Sequence, residues 1–229
     1  MFIILNYQNN WLIYNMNKYL AEFYGTFLLL VAITGTFHLL NNVLNAPSYL
    51  TVLSIAISVG AILYTNITIF MNVSGAHFNP AVTLMMHLRG KINQIDSLLY
   101  ILLQILGGIL GVIVTHVMFG ENIISLSDVD RSSNNLIVAE LLATTGLLIV
   151  IAVAEKNNPK KIPSTVGLFI ISATLFTSST CFANPAVTIS RVLTDSGVGI
   201  DLYSAILFFV AQLACAFVVA KVGKDLVLK

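Results

Sequence analysis

The string Asn-Pro-Ala occurs twice, inside Asn79-Pro80-Ala81-Val82-Thr83 and Asn184-Pro185-Ala186-Val187-Thr188, and each copy follows an apolar segment long enough to cross a bilayer. Proline breaks helices and asparagine is costly to bury, so neither is expected deep in an apolar chain. The same breaker at corresponding places in two halves points to a duplicated membrane unit whose interruptions serve transport.

The chain has 229 residues, of which 57% are hydrophobic and 9% charged, far from the soluble norm. Six apolar stretches lie near 19–40, 49–72, 97–119, 136–155, 163–182 and 202–221, each close to the ~20 residues that a spanning helix needs. One polytopic domain is expected at 18–222, with repeat one at 18–119 and repeat two at 135–222, between tails at 1–17 and 223–229. The first fifteen residues lack the basic start of a signal peptide, and Met16 opens a more orthodox beginning, so 1–15 read as a loose tail or an upstream start. Cys181 and Cys215 show neither metal spacing nor a disulfide framework. No His, Cys and carboxylate set has ligand spacing and no nucleophile–base pair stands out, so neither metal, cofactor nor enzymatic activity is expected. Asn66 and Asn72 match the glycosylation pattern by chance inside the second span.

The halves align beyond the two copies. Ala21-Glu22 opens the first span and Ala139-Glu140 the fourth. Gln104, followed by Gly107, Gly108 and Gly111, matches Gln212, followed by Ala214, Cys215 and Ala216. Three crossings per unit is an odd number, so the second copy starts from the opposite face and the repeats are inverted. Residues 80–89 and 185–194 make ~15 Å of helix each, too short for a ~30 Å core alone but sufficient end to end. Asn suits an N-cap and Pro a first helical position, so each Asn-Pro starts a half-helix and the two starts meet at the midplane. Non-helical backbone at such depth survives only inside protein or along a wet cavity. The stretches 74–78 and 181–183 are therefore expected to line a pore. The small residues at 107, 108, 111, 211, 214 and 216 suit a crossing between the halves.

Over roughly residues 18–222 this constellation resembles the aquaporin and glycerol-channel family, the major intrinsic proteins. The resemblance implies an all-α membrane protein with six transmembrane helices and two re-entrant half-helices in an inverted-repeat bundle. It also implies a homotetramer with one pore per protomer. Asn79, Pro80, Ala81, Asn184, Pro185 and Ala186 then form the mid-pore junction, where the two amides donate to permeant molecules and two positive helix ends repel cations. Glu22 and Glu140 brace the half-helix loops. Glu22 alone also suits snorkelling beside Lys18. His77 lines the cytoplasmic half of the pore, while His38, His87 and His116 read as packing residues.

The outer filter departs from the family pattern. Most members carry Arg directly after the second Asn-Pro-Ala, whereas this chain has Val187. The other filter positions fall on Val59, on Ser172 or Thr174 depending on gap placement, and on Cys181. Such a filter is wide, weakly polar and without a fixed cation. It implies a passive channel for water and small neutral solutes such as glycerol, urea or metalloid acids like arsenite. Arg191 is a delayed arginine, two turns beyond Asn184 and ~10 Å nearer the outer mouth. It reads either as a displaced guard, or as a partner of Asp195 or of the half-helix C-terminus.

Lys18, Arg89, Lys91, Lys156, Lys160, Lys161, Lys221, Lys224 and Lys229 fall on one side of six alternating spans, and only Arg131 and Arg191 on the other. The positive-inside rule places both termini in the cytoplasm, and the compact loops suit a bacterial inner (plasma) membrane. Water, small neutral solutes and lipid are the expected partners; nucleic acid is not. Two alternatives are an ion-coupled secondary transporter, a class that also has inverted repeats with broken helices but would need a charged relay at the midplane, and a non-conducting structural membrane protein of the same fold.

Overall fold

Long apolar runs can satisfy their own backbone in lipid only as helices, and where this chain departs from a helix it carries a residue that makes the break. The computed structural model describes residues 2–227, with side chains for residues 17–222. Apart from Asn17, the side chains of the two expected tails lie outside the described residues. Among the described residues eight α-helices run as α1 Phe2–Phe37, α2 Ser48–Ser74, α3 Pro80–Leu88, α4 Gln94–Phe119, α5 Asn134–Asn157, α6 Ile162–Phe176, α7 Pro185–Ser190 and α8 Leu202–Val227. A π-helical turn, His38–Val43, prolongs α1, and a 3-10 turn, Arg191–Leu193, prolongs α7. Among the described residues five segments are long and apolar enough to cross a membrane, lying in α1, α2, α4, α5 and α8.

The fifth expected span, 163–182, is corrected. α6 stops at Phe176 after 15 residues, and the chain continues without regular structure to Asn184. Thr180, Cys181 and Ala183 have φ of 61°, 52° and 45°, which no α-helix accommodates. In repeat one the matching break is announced by Gly75, at φ 86°, which caps α2; here Thr180 stands in its place.

Packing follows the duplication. α1 lies against α2 and α4, and α5 lies against α6 and α8. Each half-helix is wedged between α4 and α8, one from its own repeat and one from the other. α2 meets α6 across the halves, where Gly60 and Gly167 let the backbones touch: a Cβ on Gly167 would stand 2.8 Å from the Gly60 carbonyl oxygen. The glycines of α4 are only partly a crossing between halves. Gly107 and Gly111 admit the carbonyls of Phe23 and Phe27 of α1, within repeat one, and only Gly108 meets the second repeat, at Ser190. In α8, Ala211 and Ala216 are buried but Ala214 is exposed.

Polarity is arranged inside out. Glu22, Gln104, Glu140 and Gln212 are wholly buried, while Leu20, Ile57, Leu102, Leu142, Leu168, Phe176 and Val210 are exposed. Water would penalise both sets at once; a bilayer reverses the sign for the second. Replacing Gly167 with Ala should lower the melting temperature in detergent, since overpacking costs about 1–3 kcal/mol. Gly35→Ala, whose added carbon meets nothing nearer than 3.8 Å, should not. Equal melting of both variants would contradict the tight α2–α6 crossing.

Candidate functional site: a conduit closed by two half-helix loops

Each half-helix begins as its sequence dictates. Asn79 and Asn184 adopt extended N-cap backbones, at φ −157° and −156°, with Pro at the first helical position. The Asn79 side-chain oxygen accepts from Ala81 N–H at 2.9 Å. That of Asn184 accepts from Ala186 at 2.9 Å and from Val187 at 3.4 Å. Capping fixes which end of each amide is oxygen, so the NH2 groups point away from their own helices. They cross the repeat boundary: Asn79 donates to the Ala183 carbonyl at 2.8 Å, and Asn184 to the Phe78 carbonyl at 2.9 Å. Each NH2 has two hydrogens, so one remains on each asparagine. Both residues line the cavity.

The loops before them are non-helical in the same pattern. Gly75, Ala76 and Phe78 in one, and Thr180, Cys181 and Ala183 in the other, all have positive φ, at equal distances from their asparagines. Each such non-glycine residue costs of order 1–2 kcal/mol. A buried carboxylate holds each loop. Glu22 accepts from Ser74 Oγ at 2.6 Å, His77 N–H at 2.9 Å, Phe78 N–H at 2.7 Å and Gln104 Nε2 at 2.7 Å. Glu140 repeats this with Ser179 Oγ at 2.7 Å and with Phe182 N–H, Ala183 N–H and Gln212 Nε2 at 2.8 Å. Both glutamines also donate to the half-helix threonines, Gln104 to Thr83 and Gln212 to Thr188, each at 3.0 Å. Hydrogen bonds to a charged acceptor contribute about 1.5–3 kcal/mol each, and three of the four on each glutamate come from the loop segment, which offsets the strained residues. Glu22 does not snorkel: it is fully buried, and Lys18 pairs with Asp96 at 2.8 Å instead.

The loops bound a cavity of about 500 Å³ between α1, α2, α5 and α6. Val59, Thr174, Cys181 and Val187 all line it. Ser172, the other alternative for the span-five position, is exposed on the opposite face of α6, two residues or about 200° away from Thr174. His77 lines the cavity with Nδ1 3.1 Å from Thr83 Oγ1 and its ring edge-on to Tyr100. Of the histidines read as packing residues, His38 and His116 are buried, their rings 5.6 Å apart, and His87 lies against the Ile92 carbonyl at 3.2 Å. Arg191 is buried, donates through Nε to the Val198 carbonyl and stands 3.5 Å over the Phe182 ring. It makes no pair with Asp195. Among the described residues no carboxylate lines the cavity.

Residues 11–182 match the model of the major intrinsic protein family. The chain belongs to that family. The aquaglyceroporin AqpS of Rhizobium meliloti is 37% identical over 180 residues, 79% of this chain and 77% of its own. Aquaporin-3 of Milnesium tardigradum is 30% identical over 192 residues, 70% of this chain and 58% of its own. The X-ray structure of the aquaglyceroporin from Plasmodium falciparum covers 93% of this chain and 98% of its own, with a TM-score of 0.73 at 21% identity, a likeness of fold. As a major intrinsic protein the chain is an integral membrane channel protein, with the inverted-repeat helical bundle of that family.

The sequence pairs Gln104 with Gln212 by position, and the structure adds the bonds that these and Ser74 and Ser179 make to the glutamates. The signal was present: Ser stands five residues before each Asn-Pro. Glu140→Gln should destabilise the protein by about 1–3 kcal/mol through a buried donor left without an acceptor. Glu155→Gln, which loses only the partly exposed pairs to Arg89 and Lys91, should cost no more than about 1 kcal/mol. Thermal unfolding in detergent separates them, and matching curves would deny Glu140 its holding role.

Proposed function

We propose that this chain is a passive channel for water and small neutral solutes, glycerol, urea and uncharged metalloid acids such as arsenite among them, selected at a wide filter of Val59, Thr174, Cys181 and Val187. The observation that carries the reading is Val187: it lines the cavity at the position directly after the second Asn-Pro-Ala. A valine there leaves room and removes a fixed donor. Much of the remaining wall is Leu, Ile, Val and Met from α1, α2, α5 and α6, which suits solutes with apolar carbon faces.

The junction supports passage of neutral molecules without protons. Asn79 and Asn184 each keep one N–H beyond the cross-repeat bond, while their amide oxygens are turned to the first N–H groups of their own half-helices. A water held there accepts from both and directs its own hydrogens outward, which interrupts a proton wire. The positive ends of α3 and α7 meet at the same place and disfavour cations. An ion-coupled carrier finds little support: among the described residues Glu22 and Glu140 are the buried carboxylates, and each is taken up by three loop donors and a glutamine.

Stopped-flow light scattering on proteoliposomes tests the filter. Val187→Arg should cut glycerol and arsenite flux at least about tenfold, which is ~1.4 kcal/mol of barrier, with a smaller effect on water. Unchanged solute flux would remove the wide-filter reading. Orientation is part of the same proposal: with nine of the eleven Lys and Arg residues on one side, both termini face the cytoplasm. A reporter joined after Lys229 should be active only in the cytoplasm, and periplasmic activity would reverse the topology.

A further inference from the structure

The position that lacks its arginine has two arginines close by. Arg191 lies four residues beyond Val187, one turn outward on the same face. Arg131 comes from the segment joining the repeats, 120–133, and also lines the cavity. We propose that Arg131 is a specificity-determining residue of this channel, forming with Arg191 a paired-guanidinium collar at the outer mouth that excludes cations and offers hydrogen bonds to oxygen-rich neutral solutes. The proposal rests on the neutral-solute reading above.

Three successive carbonyls hold the pair. Arg131 donates from Nε to Gly199 at 2.9 Å and from Nη2 to Gly197 at 3.0 Å, while Arg191 Nε donates to Val198 between them. The three carbonyls belong to a turn in which Gly199 N–H donates to the Ser196 carbonyl at 2.7 Å, and that turn presents carbonyls to both arginines. Both guanidinium carbons lie over one ring, Phe182, at 3.5 Å for Arg191 and 5.2 Å for Arg131. Phe182 in turn sits edge-on to Phe208 at 5.3 Å. Of the five N–H donors on each guanidinium, Arg131 spends two and Arg191 one on the protein. The rest are available to whatever occupies the cavity.

The segment that carries Arg131 is tied down. Ser125 and Ser127 N–H donate to the Leu193 and Val192 carbonyls at 3.1 and 3.0 Å, and Asp201 N–H donates to Val129 at 2.9 Å. Arg131 N–H itself donates to Ser204 Oγ at 2.8 Å. Among the described residues neither arginine forms an ion pair with a carboxylate. The nearby carboxylates are engaged elsewhere: Asp130 with Ser132 N–H at 2.8 Å, and Asp201 with the N–H groups of Tyr203 and Ser204 at 2.9 and 3.1 Å. Two like charges brought together oppose folding, eased by the field of Glu140, which reaches both, and their own field at the mouth of an apolar conduit repels cations.

The test uses proteoliposomes carrying wild type, Arg131→Gln, Arg131→Lys, Arg191→Gln, Arg131→Gln/Arg191→Gln and Arg131→Lys/Arg191→Gln, with methylammonium influx as the cation probe and water flux as the measure of an intact pore. The double glutamine variant should admit methylammonium at least about tenfold faster than Arg191→Gln alone, with water flux retained. Lysine at 131 keeps the charge but loses the fork that grips Gly197 and Gly199, so Arg131→Lys/Arg191→Gln should exclude the cation as Arg191→Gln does. The proposal is overturned if the double glutamine variant matches Arg191→Gln, or if lysine behaves like glutamine, which would make Arg131 a clamp for the loop and nothing more. Loss of the neutral-solute reading would show separately, as wild type that passes neither glycerol nor urea.

Discussion

A carboxylate buried in an apolar bundle and saturated by donors from a non-helical loop is the interaction on which everything else here depends. Without Glu22 and Glu140 the amide groups of residues 77–78 and 182–183 would face hydrocarbon unpaired, and those loops would refold into the preceding helices. With them, the donors turn inward to the glutamates. The half-helices then start where Asn79 and Asn184 place them. The serine, glutamine and threonine that complete each set recur in both repeats at bond lengths that differ by about 0.1 Å.

Symmetry sets the scaffold and its breaches set the chemistry. Counting from the two asparagines, His77 corresponds to Phe182, Val82 to Val187 and Met86 to Arg191, and all six line the cavity. One end is therefore furnished with an imidazole and a thioether, the other with an aromatic ring and a cation. The middle is alike from both sides. A passage with equivalent centres and unlike ends filters at its ends.

Much of this was legible in the residues because the strongest signals were disruptive ones. A proline after an asparagine can start a helix but not continue one, so the half-helices near 80–89 and 185–194 and their meeting followed from two dipeptides. The glutamates were legible as costly groups needing partners. What escaped notice did so for physical reasons. The end of α6 at Phe176 leaves no trace in composition, because the loop beyond it borrows its left-handed backbone from Thr180, Cys181 and Ala183 rather than from glycine. Ser172 and Thr174 could not be ranked until the rotation of α6 was known. Arg131 sits between Asp130 and Ser132 like any solvated loop residue, and only the folding of residues 197–199 against it brings it beside Arg191. Its rarity was a hint, as one of two basic residues that the expected alternation of spans sets apart from the other nine.

The reciprocal tie between the asparagine amides and the carbonyls of Phe78 and Ala183 also bears on biogenesis. While the ribosome is still making the second repeat, the amide of Asn79 and the carbonyl of Phe78 have no mates, and the first three spans hold an open polar seam within the bilayer. The nascent half must be sheltered, by the insertion machinery or by water, until Asn184 arrives from the opposite leaflet. A chain ending before residue 183 lacks both mates, and its first repeat keeps an unpaired amide and an unpaired carbonyl in the bundle interior.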